Sequence, residues 1–343
     1  MNAPDSILHY PFPDLPAEGT AVRIAPGVRW VRMPLPFALD HINLWLLDDG
    51  DALTAVDSGY GIDRTRDAWN RILEAESRPL GRIVVTHHHP DHVGLAAWLA
   101  ARDGGRIHMT LGEYLGGQAI WHQLPGYSVA DMVAQFRAHG LAEERAAALA
   151  HRGNAYRHGI PSMPANFDRL VDGEHLSIDG REWRVIIGYG HAPEHASLYC
   201  EALGILISGD MLLPRISTNI SVYAATPYDD PLGRFLDSIG EFCELPDDTL
   251  VLPSHGKPFK GIRARVDQLV EHHRDRCAAL LSECGAPRCA GELLGTLFPR
   301  ELDTHQSMFA MGEAIAHLNH LEKRSALRRV VGSDELIRYV RTS

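Results

Sequence analysis

The stretch IVVTHHHPDH (Ile83–His92) packs four histidines and an aspartate into six positions at the end of a β-branched apolar run. A hydrophobic core gains nothing from such a cluster, because a buried polar group costs free energy unless it finds a partner. Imidazole and carboxylate are, however, the ligands that zinc and similar borderline divalent ions prefer. Alternate residues on an extended segment project to the same side, so His87 and His89 can reach one ion. Asp91 and His92, just past Pro90, can turn toward a second, which leaves His88 pointing away from both.

Three later segments repeat the arrangement of an apolar strand-like run followed by a ligand type. YGHAPEH (Tyr189–His195) offers His191, LISGD offers Asp210, and LPSHG offers His255. Each candidate follows a run of strand character, so all should emerge at one edge of a sheet. Six or seven ligands arriving from strand ends is the layout expected of a site for two metal ions.

The surrounding pattern gives the organisation. VRWVRMPL and INLWLLDDGDALTAVDSG read as strands, the second joined by a DDGD turn. Helical spacing over Asp63–Glu76 predicts a helix with Asp63 as N-cap, and GLAAWLAARDGG predicts another that ends at its glycines. Residues from about 113 to 164 read as a helical insertion: SVADMVAQFRAHG and LAEERAAALAHRG form two helices, with Ser128 and Asp131 opening the first. Strands resume with REWRVIIGYG, ASLYCEA and GILISGD, followed by the helix DPLGRFLDSIGEF and the strand TLVLPSHG. After Lys260 three helices precede a hairpin around Gly332-Ser333-Asp334, the order of a winged-helix module. The expected division is therefore a catalytic domain over 1–260 and a helical winged-helix-like domain over 261–343.

The succession H-x-H-x-D-H, G-H-x-P-x-H, S-G-D and S-H-G resembles that of the metallo-β-lactamase superfamily over roughly residues 20–260. The resemblance implies an α+β fold, a four-layer αβ/βα sandwich of two facing mixed sheets with helices outside. It also implies roles: His87, His89 and His191 on one ion, Asp91, His92 and His255 on the other, and Asp210 bridging them. Asp57 in AVDSG matches an aspartate that orients the ligand loop, and the alternative is an ordinary turn residue after a strand. For His195 the two readings are support of the site without ligation and a plain structural role. The complete ligand set with Asp91, in a chain whose start shows no basic and apolar leader, resembles the glyoxalase II-like branch rather than secreted β-lactamases.

Two divalent ions, with zinc expected and iron or manganese equally suited by these ligands, can bridge a water and bring its pKa toward neutrality. The expected chemistry is attack of that hydroxide on a small-molecule ester, a thioester or a lactone, with Asp91 and Asp210 at the reacting centre. Arg215, Asn219 and Tyr223 follow Asp210 directly and are candidates for contacting substrate, against a reading as ordinary loop hydrogen bonds. Trp121, Tyr127 and His158 in the insertion are candidates for an apolar lid.

Two rival functions are a phosphodiesterase or ribonuclease reading its substrate with the C-terminal module, and a non-catalytic metal-binding regulator. The charge argues against nucleic acid. The net charge is −11, and residues from Lys260 onward hold 13 Lys and Arg against 11 Asp and Glu, far from a strongly basic face. On this reading the tail packs on the catalytic domain, closes the cleft or forms a homodimer surface. No apolar run nears the roughly 18 residues of a membrane span. Five cysteines without a C-x-x-C pair suit a reducing cytoplasm.

Overall fold

A computed structural model describes residues 8–342. Seven strands form the first sheet in sequential order: β1 (Ala21–Ala25), β2 (Val28–Pro34), β3 (His41–Asp49), β4 (Ala52–Val56), β5 (Leu80–Val84), β6 (Arg106–Thr110) and β7 (Asp168–Leu170). Neighbours from β1 to β4 are antiparallel, and those from β4 to β7 are parallel. The second sheet holds β8 (His175–Ile178), β9 (Arg181–Gly188), β10 (His195–Cys200), β11 (Ile205–Gly209) and β12 (Leu250–Pro253). In it only the β11–β12 pair is parallel.

Period-two alternation sends each strand's side chains to two different cores. Trp30 of β2, Trp45 and Leu47 of β3, Trp183, Val185 and Ile187 of β9, and Ile205 and Ile207 of β11 fill the space between the sheets. Trp30 and Trp45 are cross-strand partners and stack with ring centroids 6.2 Å apart. The intervening Val31, Leu44 and Leu46 face outward under α1 (Asp63–Glu76). Asp63 is the first helical residue of α1 rather than its cap: Ile62 stands at the cap without a side-chain acceptor, and the Asp63 carboxylate holds Arg66 instead.

After β5 come the short α2 (Pro90–Val93) and α3 (Ala96–Asp103), which stops at Gly104 in the left-handed region. Four helices occupy the inserted stretch: α4 (Leu111–His122), α5 (Val129–Ala138), α6 (Glu143–Arg152) and α7 (Tyr156–Gly159). Ser128 caps α5 by accepting from the Asp131 amide, as the sequence predicts. The outer face of the second sheet is covered by α8 (Pro231–Glu241). The chain then runs through α9 (Ile262–Glu283), α10 (Ala290–Leu297) and α11 (Thr304–Lys323) into the hairpin β13 (Leu327–Val331) and β14 (Ile337–Arg341). A single apolar cluster joins Phe136 of α5, Leu149 of α6, Phe235 of α8, Leu269 of α9 and Ile315 of α11 to Leu206 of the second sheet. The C-terminal helices and the insertion thus belong to the same apolar cluster as the outer face of the second sheet.

Candidate metal centre

Every expected ligand follows the carboxyl end of a strand: His87, His89, Asp91 and His92 come after β5, His191 after β9, Asp210 after β11 and His255 after β12. Their ligating atoms form three groups, each drawn together within 4.8 Å: His87–His89–His191, His87–His92–Asp210 and Asp91–His92–His255. The two outer triads match the two expected ligand sets, and Asp210 falls between them.

The distances suit ligands around cations better than a hydrogen-bond network. His92 Nε2 lies 3.6 Å from Asp210 Oδ1 and 3.7 Å from Asp91 Oδ2, while His255 Nε2 lies 3.5 Å and 3.4 Å from the same two oxygens. His191 Nε2 is 3.5 Å from Asp210 Oδ2. His92 Nε2 and Asp210 Oδ1 are buried and take no hydrogen bond from any described protein group. Buried polar atoms of this kind ordinarily have a partner, and a divalent ion is the partner this donor set fits.

Electrostatics point the same way. Burial, reinforced by neighbouring histidines, pushes His87 and His89 well below the usual imidazole range, so their lone pairs are free to bind a cation. Burial works against charge on His92 as well, but Asp57, Asp91 and Asp210 overcome it and raise its pKa to about 10. His255 is raised for the same reason by Asp210 and Asp91. Against burial, His92 and His255 in turn hold the Asp91 carboxyl well below the usual range. The pocket demands positive charge at the place where the carboxylates converge.

A second layer of hydrogen bonds holds His92, His191, His255 and Asp210. Asp57 accepts from His92 Nδ1 at 2.8 Å and from the Thr86 amide at 2.8 Å. It does so with φ at 65°, a left-handed conformation that Asp tolerates better than most residues. The Asn219 carbonyl lies 2.7 Å from His191 Nδ1, and the His41 carbonyl 2.9 Å from His255 Nδ1. His195 is not among the clustered residues: its Nε2 accepts the Asp210 amide at 3.1 Å and so holds the Asp210 backbone. Gly209, with φ of 52°, leaves room for that ring, since a Cβ there would lie 2.3 Å from His195 Nε2.

His88 does turn away from the ligand clusters. Its Nδ1 meets Glu113 Oε2 at 2.5 Å, and its Nε2 meets the Tyr223 hydroxyl at 3.2 Å. Glu113, fully buried at the start of α4, also accepts the Glu194 amide at 2.7 Å and so links the two ligand loops. Sequence reasoning missed Glu113, Thr86 and His41, and their types carry no signal apart from the fold.

A cleft of about 560 Å³ opens onto the ligands, with His89, Asp91, His191, Asp210 and His255 in its floor. Asn219 and Tyr223 line it, whereas Arg215 is exposed and stands outside the lining. Of the expected lid, Tyr127 lines the cleft. Trp121 instead donates to the Ile160 carbonyl under a stacked Arg157, and His158 is exposed to solvent. Burial raises the Tyr223 hydroxyl far above its ordinary range, so it stays protonated.

The sandwich and a ligand-lined cleft at its strand ends define a metallo-hydrolase, and the comparisons give the same class. The chain belongs to the metallo-β-lactamase superfamily, whose family model matches residues 38–255; a metallo-beta-lactamase-like C-terminal domain matches residues 277–342. A crystallised beta-lactamase domain protein from Burkholderia ambifaria is 46% identical, with a TM-score of 0.91 and 98% of both chains covered. A probable metallo-hydrolase of Bacillus subtilis, YqjP, is 27% identical over 87% of this chain and 92% of its own length. Hydroxyacylglutathione hydrolases are more distant relatives, the one from Halorhodospira halophila being 25% identical over 74% of this chain and 76% of its own.

Proposed function

We propose that the chain is a two-metal hydrolase of small-molecule esters, either thioesters or lactones. The observation that carries the reading is the pair of triads that meet at Asp210, with buried atoms on His92 and Asp210 that no described protein group satisfies. In this reading His87, His89 and His191 would hold one zinc, Asp91, His92 and His255 would hold the other, and Asp210 would serve both; iron or manganese would suit the same donors. Ions held there would supply Lewis acidity, lowering the pKa of a water and polarising the carbonyl under attack.

The chain's own groups do the rest. Asp210 and Asp91 both approach His255 Nε2, at 3.5 Å and 3.4 Å, and on this reading Asp210 would receive the proton of the attacking water. His195 and the Thr218 hydroxyl, which donates to the Asp210 carbonyl at 2.5 Å, keep Asp210 from turning away. Tyr223, protonated at all working pH values, can exchange its bond to His88 for one to the substrate oxygen, and Asn219 stands beside it on the cleft wall. Arg152 is the one Lys or Arg among the lining residues, which disfavours a polyanionic substrate. Helix α11 supplies wall to the cleft, which favours a shaping role for the C-terminal segment over nucleic-acid reading. Five unpaired cysteines support a reducing cytoplasm as the place of work.

The test is elemental analysis of purified protein followed by a panel of thioesters, lactones, phosphodiesters and a short RNA. Two metals per chain with thioester or lactone turnover is the expected result, and Asp210→Asn should abolish that turnover while the fold persists. Cleavage of phosphodiesters or RNA alone would overturn the substrate class. A chain that takes up no metal would overturn the mechanism.

A further inference from the structure

The polar floor of the cleft is small beside its apolar walls. On α5, Val129, Met132 and Phe136 fall on one helical face and line the cleft. The same cleft is lined by Met308 and Phe309 of α11 and by Ile216 and Val222 of the loop after Asp210. The α5 face runs about 10 Å, seven residues at the helical rise of ~1.5 Å each. Where the cleft meets solvent the apolar character continues: Phe37, Leu39, Ile216 and Phe309 line it and are among the exposed large hydrophobic residues. Phe37 stacks on His305 at 5.2 Å, and His305 meets Phe309 edge-on at 4.8 Å, so segments far apart in the chain join in an aromatic rim. Contiguous exposed apolar surface of this kind marks a binding site rather than an ordinary surface. Its volume lies within the ~300–1,000 Å³ typical of small-molecule sites.

We propose that this cleft binds the hydrocarbon chain of a long-chain acyl ester or thioester, laid between α5 and α11 with its carbonyl over the ligand clusters. The inference rests on the hydrolase reading above and adds the substrate's shape to it. One water is consumed: its oxygen joins the acyl carbon, the C–O or C–S bond breaks, and a fatty carboxylate and an alcohol or thiol leave, with a proton released to solvent. The occupant is an aliphatic chain because apolar side chains of α5, α11 and the loop after Asp210 make up most of the wall surface, although Gln123, Gln135, Arg152, Asn154 and Gln306 line it too. The C-terminal segment gains a role from this: without α11 the chain's groove would lack one side.

The experiment is a series of acyl thioesters from acetyl to palmitoyl, assayed on the metal-loaded full chain, with the matching free carboxylates tested as product inhibitors. The expected result is a rise in kcat/KM of roughly threefold to fourfold per methylene until the cleft is filled, with inhibition by carboxylates tightening in parallel, because each buried methylene contributes about 0.8 kcal/mol. Met132→Trp, which narrows the groove, should move the preferred length to shorter chains in both measurements. Turnover that is flat with chain length, or highest for acetyl, would overturn the proposal and leave the hydrolase reading standing. Failure of every ester in a chain carrying its full metal complement would overturn the hydrolase reading instead. A Met132→Trp variant that turns over with an unchanged length profile would also refute the placement of the chain along α5.

Discussion

Arg265 of α9 is a buried cation with no carboxylate beside it among its hydrogen-bond partners; it spends its guanidinium on the loop after Asp210. Nε donates to the Leu213 carbonyl at 2.6 Å, Nη2 to the Ile216 carbonyl at 2.9 Å, and Nη1 to Gln268 at 3.0 Å. That loop carries Thr218, Asn219 and Tyr223, and so the carbonyl that steadies His191. Replacing Arg265 with Met keeps the aliphatic stem and removes every donor. Leu213 is buried, so its carbonyl loses a charge-assisted bond with no solvent to replace it, whereas exposed Ile216 can turn its carbonyl to water. A stranded buried acceptor costs about 1–3 kcal/mol, so Arg265→Met should lower stability by roughly 2–3 kcal/mol, a fall in Tm of about 5–10 °C at ~2–4 °C per kcal/mol for a large domain. The loop's displacement should also cut kcat/KM by roughly 10-fold to 100-fold at saturating metal, since misplacement by about 1 Å can cost that much. Arg265→Lys should recover little of either loss, because an ammonium cannot serve three acceptors arranged around a planar fork. Calorimetry and steady-state kinetics on both variants decide the matter. A wild-type Tm together with wild-type kcat/KM in Arg265→Met would refute the claim that the C-terminal segment holds the catalytic loop.

Asp57→Ala removes the acceptor for His92 Nδ1, so metal affinity should fall by about 10-fold to 100-fold in a competition titration; unchanged affinity would reduce Asp57 to a turn residue. Burial lowers the pKa of His139 and of His317 to about 4, so both are neutral in the fold while an unfolded chain protonates them near 6.5. The unfolded state then binds more protons below pH 6.5, and stability is lost as pH falls from about 6.5 toward about 4, by roughly 1.4 kcal/mol per histidine at pH 5.5. His139→Phe should flatten the acid limb of a Tm-against-pH curve relative to wild type, and identical slopes would exclude the effect. Tyr223→Phe should lower kcat/KM about 10-fold with metal content intact; a loss of metal instead would make Tyr223 a structural support for His88.

The candidate ligands are legible in the sequence because histidines and aspartates in tight spacing after strand-like runs have few other uses, and alternation marks which sheet face each run buries. Helix α4 was not foreseen. Gly112, Gly116 and Gly117 weaken its helical signal, yet Gly117 is what lets it approach His88, since a Cβ there would lie 3.2 Å from the His88 Cβ. The cleft walls were hidden for a different reason: Val129, Met132 and Phe136 are the residues a core-facing helix would carry in any case. Arg215 looked like a substrate contact from its nearness to Asp210 in the chain, but the turn after Pro214 carries it to the outside. Neither the walls nor Arg265 could be read without knowing which distant segments the fold brings together.

The two triads draw on the ends of strands in both sheets, whereas much of the cleft wall comes from the insertion and from α11, with the loop after Asp210 and the segment of Phe37 and Leu39 completing it. On the proposed reading, reaction and choice of substrate are therefore encoded largely in separate stretches of the chain. A lineage can exchange or reshape α5 and α11 and acquire a new diet without disturbing a single metal ligand. The same partition gives engineering a handle, because libraries confined to those two helices would sample selectivity while the reactive centre is inherited whole.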